Sequence, residues 1–596
     1  MSALSQARAR INANAAQAFA ARGHCLVTAP PGSGKTELLC ARLAQDFIDV
    51  IAEPQGAACI TYSNTAAAEL RRRLEQFGAP RRSNLFVGTV HGFALSQVIR
   101  PFARLLGEEN LATAAIATAE QRQRIFDAAR EAIYPDEPGY GLRSTMDRRR
   151  RALLLDETDP MYGGERVAEM TRLYERLLRE EGLIDFDEMV SSAVAIVEGR
   201  RVVRQVLAAR FPKLFIDEYQ DLGAGLHQLV KVLCFDQAAS STLFAVADPD
   251  QCIYMFSGAS PELVGEIAER RDVEHIQLHL NYRSSDEIIR QSLKLLPRPL
   301  EVKGFREGGL VRLHQVDGKI VGQATAAIAV LQEALERDVK PEALAVLCLS
   351  NKDCVEVGDL LIESGLSVFV RREDDYPRTA ATQFVEMAAA WSTCAFGASG
   401  VTLRWLLGQW RQLLGAQWTR ALDIELVTLL LDGEKLNGLP AREFAARVGA
   451  IGLTDALATA RVRSEDSDSL TALLVSTTSG SLSSLSVADL GDRAFARNRI
   501  HVLTMHAAKG LEFDSVCLLG LEHTRLPRFN AAQWEVVQDR RKFYVAITRA
   551  RHEVHMFYTG WMINKYGKRW DHGPSPFVSQ LELTAESPSR GTDVSF

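Results

Sequence analysis

The octapeptide Ala29-Pro30-Pro31-Gly32-Ser33-Gly34-Lys35-Thr36 narrows the possible folds more than any other stretch of the chain. Before it runs Cys25-Leu26-Val27-Thr28, short and apolar enough for a buried strand. After it, Glu37-Leu38-Leu39-Cys40-Ala41-Arg42-Leu43 spaces its apolar residues as a helix does. Strand, glycine turn and helix together are the setting of a phosphate-binding loop. Gly32 and Gly34 let the backbone wrap with successive N–H groups pointing inward, and the helix N-terminus adds positive potential. Lys35 brings a mobile charge for the β- and γ-phosphates of a nucleotide, and Thr36 a hydroxyl for Mg²⁺. Ala29 stands where the G-x-x-x-x-G-K-[ST] pattern carries its first glycine.

Strands and helices alternate around this loop. Residues 57–62 and 85–89 read as strands, with a helix from Thr65 to about Phe77 between them that Asn64 can cap. Residues 213–218 and 242–248 continue the pattern, which predicts a parallel sheet with helices on both faces. Residues 97–180 break it: they are dense in Arg and Glu and predict a helical insertion. The run Arg148-Arg149-Arg150-Arg151 inside it reads first as a solvated helix face. A second α/β region begins near 276, with strands expected at 310–314, 344–349, 367–370, 500–505, 515–519 and 554–558. Helical patterning interrupts it at 391–470, and the Ser/Thr/Gly-rich run 475–486 reads as a loop or hinge.

Two acidic stretches follow strands. Asp217-Glu218-Tyr219-Gln220-Asp221 places a carboxylate, Asp217, where it can hold Mg²⁺, and another, Glu218, where it can orient and deprotonate an attacking water. In Asp248-Pro249-Asp250-Gln251 the amide of Gln251 can read the γ-phosphate or that water. Tyr254 and Phe256 lie two apart in a stretch that reads as a loop, and aromatic rings exposed at the mouth of a sheet can stack on bases for about 1–3 kcal/mol each. Three later stretches, 278–284, 502–513 and 540–550, each carry Arg or Lys and suggest a second lobe that brings cations to the nucleotide. Such a charge is worth a factor of about 10³–10⁵ in other nucleotide hydrolases.

The ordered series APPGSGKT, TYSNTAAAEL, GTVHGF, IDFDEM, FIDEYQD, DPDQCIY, LNYRS, TMHAAKGLEF and YVAITRARH resembles the motifs of UvrD/Rep-like superfamily 1 helicases, from residue 29 to 552. The resemblance implies an α/β fold of two RecA-like lobes, with 1A at 1–96 and 181–275 and 2A at 276–390 and 490–585. It implies helical insertions 1B at 97–180 and a reduced 2B at 391–489, with a disordered tail from 586. It assigns phosphate binding to the 29–36 loop, Mg²⁺ to Thr36 and Asp217, and the base to Glu218. Gln251, Arg283 and Arg549 would surround the γ-phosphate, Tyr282 would stack on adenine and Glu512 would contact the ribose. Tyr62, Asn64, His91, Tyr254 and Phe256 would line a single-strand path, which His506 and Lys509 would link to the ATP site. The chain departs from the family at Phe256 and Ser257, where Trp and Arg are usual, and at Glu37, where an Arg often follows the loop.

The implied activity is an ATP-dependent DNA translocase and helicase with 3′-to-5′ polarity, acting on single-stranded and tailed duplex DNA in repair, recombination or defence. The alternative is a DNA-sensing regulatory ATPase serving a separate nuclease, as in Gabija-type anti-phage systems; the reduced 2B motivates it. A net charge of −6 excludes a polycation that coats nucleic acid by bulk charge, so a DNA site must be a local patch. Nine scattered cysteines without a C-x-x-C pair argue against zinc ribbons, iron–sulfur ligation and disulfides, and fit a reducing compartment. With no apolar run of membrane-spanning length, a cytoplasmic protein without membrane contact is expected.

Overall fold

In a computed structural model the described residues are 13–79, 84–135, 139, 141–152, 163–236, 241–255, 258–298, 301–370, 376–393, 401–459, 464–480, 482–495, 497–563, 569–571 and 573–586. The chain divides into two compact units, Met1–Glu307 with Gln533–Tyr544, and Gly308–Ala532 with Val545–Phe596.

The first unit is built on a six-stranded sheet in the order Leu85–Thr89, Ala57–Thr61, Lys213–Ile216, Thr242–Ala247, His24–Thr28, Val273–Gln277. Every pairing in it is parallel. Parallel strands with both faces covered read as continuous apolar runs, and Ala57–Thr61 is buried at all five positions. The helix Lys35–Asp49 covers one face through Leu38, Leu39, Leu43 and Phe47. The charged groups of interest follow the carboxyl ends of these strands, where parallel α/β sheets bind ligands.

The insertion after Leu85–Thr89 carries the helices Ala119–Ile133, Leu142–Ala152 and Gly164–Glu180 around Ile125, Phe126, Met146, Met170 and Tyr174. Here the four-arginine run is not simply a solvated face. Arg150 is 7% exposed and pairs with both oxygens of Asp185 at 2.6 and 2.7 Å, while the Tyr174 hydroxyl donates to the same carboxylate at 3.0 Å. A guanidinium fork matched to a carboxylate is the geometry that tolerates burial. Composition alone does not reveal which arginine of four turns inward.

The second unit holds a seven-stranded sheet in the order Val368–Val370, Ile500–Thr504, Leu344–Cys348, Phe513–Leu518, Ala550–Tyr558, Leu310–Gln315, Ala585–Glu586, again parallel throughout. Each of the six strands expected in this half is present. Between Val368–Val370 and Ile500–Thr504 lies a helical insertion with its own core, where Phe384 stacks on Trp410 beside Leu426, Leu430 and Phe444. The run expected as a loop from 475 is helical through Ser479, the end of Ser464–Ser479. Thr477 and Thr478 return their hydroxyls to the carbonyls of Leu473 and Leu474 at 2.7 and 2.6 Å, and Leu473 is buried. Tertiary burial and back-bonding override the weak helix propensity of Ser and Thr. The tail expectation falls almost wholly on residues outside those described. Among the described residues no helix is long and apolar enough to cross a membrane.

Candidate functional site

The loop 29–36 is pinned at both ends. The Ala29 N–H donates to Ala247 O at 3.0 Å on the neighbouring strand, and Leu38 N–H to Gly34 O at 2.9 Å. Gly34 has φ 82° and ψ 20° at the start of Lys35–Asp49. Gly32 has φ 69°, and a Cβ on it would lie 2.5 Å from Arg283 Cβ and 2.6 Å from Asn281 Oδ1. Gly34 is required by conformation; Gly32 is required by conformation and by close approach. That approach is bonded, since Tyr282 N–H donates to Gly32 O at 2.8 Å. Asn281 Oδ1 accepts from the N–H groups of Arg283 and Ser284 at 2.7 and 2.9 Å, so the turn delivers Tyr282 and Arg283 to the phosphate loop.

Lys35 is 6% exposed, and its ammonium donates to Ala29 O at 3.0 Å and Pro30 O at 3.4 Å while facing Asp248 at 3.5 Å. The Thr36 hydroxyl lies 3.3 Å from each oxygen of Asp217. Asp217 is 3% exposed. Burial, and then the charge of Glu218, push its carboxyl well above the usual range; Lys35 and Thr36 offset only part of that. A buried Asp217 beside Glu218 suits a divalent cation, and the Ser33 hydroxyl, buried with no hydrogen-bond partner among the described residues, is a further polar group suited to a ligand. No cluster of three or more His, Cys, Asp or Glu side chains able to hold a metal occurs among the described residues. Mg²⁺ does not need one, because it is commonly held by one or two carboxylates with phosphates and waters. The residues present therefore fit Mg²⁺ held by Thr36 and Asp217.

Glu218 has φ 54° and ψ 50°, a left-handed conformation that costs a residue with a side chain on the order of 1–3 kcal/mol. Gln220 holds it there: its amide donates to the Glu218 carboxylate, and its Oε1 accepts the Asp248 N–H at 2.8 Å. Gln251 donates to Asp248 Oδ2 at 2.6 Å. Asp248 is thus the hub to which Lys35, Gln220, Gln251 and Arg298 connect. Sequence pattern singles out Gln251 but not the hub it bonds, because Asp248 and Gln220 sit inside motif stretches with no role attached. Arg298 lies in no motif and gave no signal.

The expected single-strand contacts are grouped in part. Tyr62 and Tyr254 stack with ring centroids 5.0 Å apart and planes 23° apart. His91 meets Phe186 edge-on at 5.2 Å, and burial lowers its pKa, leaving a neutral ring at neutral pH. Asn64 does not cap its helix. Ser63 does, accepting the Ala66 N–H at 3.1 Å, and Asn64 is exposed in the first turn. Phe256 lies outside the described residues.

In the second unit Arg549 is 2% exposed and donates to Val545 O at 3.0 Å and Leu511 O at 3.3 Å. Glu512 is exposed and paired with Arg551, which also reaches Asp514 at 3.0 Å. His506 and Lys509 sit in the turn after Ile500–Thr504, where Lys509 N–H donates to His506 O at 3.2 Å.

A phosphate loop facing an acidic strand end on a parallel sheet is the site of a P-loop nucleotide hydrolase. The UvrD/REP helicase N-terminal domain matches residues 11–271, and the UvrD-like helicase C-terminal domain matches residues 454–560; together they span more than half of the chain. The ATP-dependent DNA helicase UvrD2 of Mycobacterium tuberculosis (strain ATCC 25618 / H37Rv) is 25% identical over 610 residues, covering 96% of this chain and 82% of that protein. DNA helicase II of Haemophilus influenzae is 23% identical, covering 96% of this chain and 87% of that protein. The ATP-dependent DNA helicase PcrA of Staphylococcus aureus (strain NCTC 8325 / PS 47) is 25% identical, covering 96% and 86%. The chain belongs to the UvrD/REP helicase family and is an ATP-hydrolysing enzyme.

Proposed function

We propose that this ATP-dependent DNA helicase moves 3′-to-5′ along single-stranded DNA and separates tailed duplexes as it goes. The observation that supports the reading is that two groups of side chains follow the carboxyl ends of strands in one sheet. Lys35, Thr36, Asp217, Glu218 and Gln251 meet there, and the stacked pair Tyr62–Tyr254 follows strands of the same sheet.

The loop 29–36 would hold the phosphates, with Thr36 and Asp217 holding Mg²⁺. Bound there, the ion would neutralise charge on the β- and γ-phosphate oxygens. Glu218 would orient the attacking water and take its proton, with Gln251 reading the γ-phosphate. Arg283 and Arg549 would stabilise charge developing on the transferred group. Tyr282 would stack on adenine and Glu512 contact the ribose. Tyr62, Asn64, His91, Tyr254 and Phe256 would line the single strand, with His506 and Lys509 relaying nucleotide state. We assign lobes by motif order: 1A at 1–96 and 181–275, 1B at 97–180, 2A at 276–390 and 490–585, and a reduced 2B at 391–489.

Strand displacement on duplexes with a 3′ tail, a 5′ tail or blunt ends tests this. Displacement of the 3′-tailed substrate alone is the expected outcome. Displacement from the 5′ tail would overturn the polarity, and ATP turnover triggered by duplex ends without displacement would favour a sensor that serves a separate nuclease.

A further inference from the structure

Arg298 lies beyond the helix Asp286–Leu295, outside the motif series, with its side chain 12% exposed among acids. One terminal nitrogen reaches Asp248 Oδ1 at 2.5 Å, Asp250 Oδ2 at 2.8 Å and the Tyr544 hydroxyl at 3.3 Å. The Asp248 side chain has no exposed surface. Its other oxygen, Oδ2, accepts from Gln251 at 2.6 Å and faces the Lys35 ammonium at 3.5 Å. One fully buried carboxylate is therefore divided between two cations, Arg298 on Oδ1 and Lys35 on Oδ2.

The two cations are not equivalent. Arg298 is close, while Lys35 stands at the long end of an ion pair and leans on its own loop carbonyls. A buried carboxylate without a cation is strongly unfavourable and draws in whatever positive charge is near. Were Arg298 absent, that charge would be Lys35, the group the phosphates need.

We propose that Arg298 is a positioning residue of the nucleotide site: as resident counter-ion of Asp248 and Asp250, it keeps Lys35 free to leave Asp248 for the phosphates. The proposal rests on the nucleotide-site reading above. Burial alone would raise the Asp248 pKa; Arg298, followed by Lys35, outweighs it and holds the carboxyl below its usual range, so the competition is between a real anion and two cations. The delocalised, planar guanidinium suits a bridge between two carboxylates better than an ammonium does.

Equilibrium ATP binding and steady-state turnover of the full chain decide the matter, using wild type, R298Q and R298Q/D248N, with thermal unfolding as the check of folding. R298Q is expected to weaken ATP binding about tenfold and to raise KM more than it lowers kcat, a coupling of ordinary size for groups in one network. Adding D248N removes the acid that captures Lys35, so the double variant is expected to recover most of that loss. A merely structural role predicts the reverse, a double variant as weak as R298Q or weaker, and that result overturns the proposal. Unchanged ATP affinity in R298Q overturns it as well. Should R298Q fail to fold, R298K with and without D248N is the same comparison, with a smaller loss and the same recovery expected. A wild-type chain that binds no ATP would instead contradict the nucleotide-site reading itself.

Discussion

The two parallel sheets place their charged groups at opposite strand ends and in different states of charge balance. In the first unit the phosphate loop, Tyr62, Asp217 and Asp248 all follow the carboxyl ends of their strands. In the second, Glu512 and Arg549 precede theirs, Phe513–Leu518 and Ala550–Tyr558, and only His506 and Lys509 follow one. In the first set Asp217 is pushed up by burial and by Glu218, more than Lys35 offsets, while Asp248 is matched by Lys35 and Arg298. The second is already matched: Glu512 to Arg551, and Arg549 to backbone carbonyls. A carboxylate left short of positive charge is prepared for a cation; a matched group must release a partner before it acts.

The sharpest way to break this contrast is to neutralise one member on each side. Lys35→Ala or Glu218→Gln is expected to lower kcat for ATP by about 10³-fold or more, because each removes a charge proposed to act on the reacting phosphate or water. Glu512→Gln, on the matched and exposed side, is expected to change turnover less than about tenfold, in line with the small worth of exposed pairs. Steady-state turnover of the three variants is the measurement, and similar losses in all of them would erase the contrast.

A smaller effect is expected from pH. His314 and His501, both in the second unit, are lowered to about 4, mainly by burial. Their folded values lie below the ordinary unfolded value near 6.5, so above that pH neither state is charged and nothing is lost. As pH falls from 6.5 to 4 the unfolded chain takes up protons that the folded chain refuses, and stability declines by about 3 kcal/mol for the two together after allowance for exposure. Urea unfolding between pH 7 and 4 measures this, and replacing both with Gln should flatten the decline.

Next in size is the aromatic pair. Tyr254→Ala is expected to weaken single-strand binding by about 1–3 kcal/mol with little change in ATP affinity. Titration of both ligands checks it, and equal losses would argue against a stacking role. Smallest is Ser63→Ala, which removes the cap of Asn64–Gln76 and is expected to cost about 1 kcal/mol of stability by urea unfolding.

Local physics made much of the fold and the site readable. The run 25–36 announces strand, loop and helix because only glycine satisfies the backbone at Gly32 and Gly34. Asp217 and Glu218 are legible because apolar strands end at them. Arg150, Arg298 and the helix through Ser479 were not legible, for a common reason: tertiary contacts rather than local pattern fix them. Asp185 turns one arginine of four inward, Asp248 captures an arginine fifty residues on, and a buried Leu473 keeps a serine-rich segment helical. Ser63 rather than Asn64 caps its helix because either residue satisfies the same rule and one position of register decides.

The most direct test of the central claim, a nucleotide site with an undercompensated Asp217 driving movement on DNA, is the steady-state ATPase rate with no nucleic acid, single-stranded DNA, blunt duplex and 3′-tailed duplex. Strong stimulation by the single strand and the tailed duplex, abolished by Glu218→Gln, is the predicted result. A rate indifferent to single strands, or raised only by blunt ends, would contradict it.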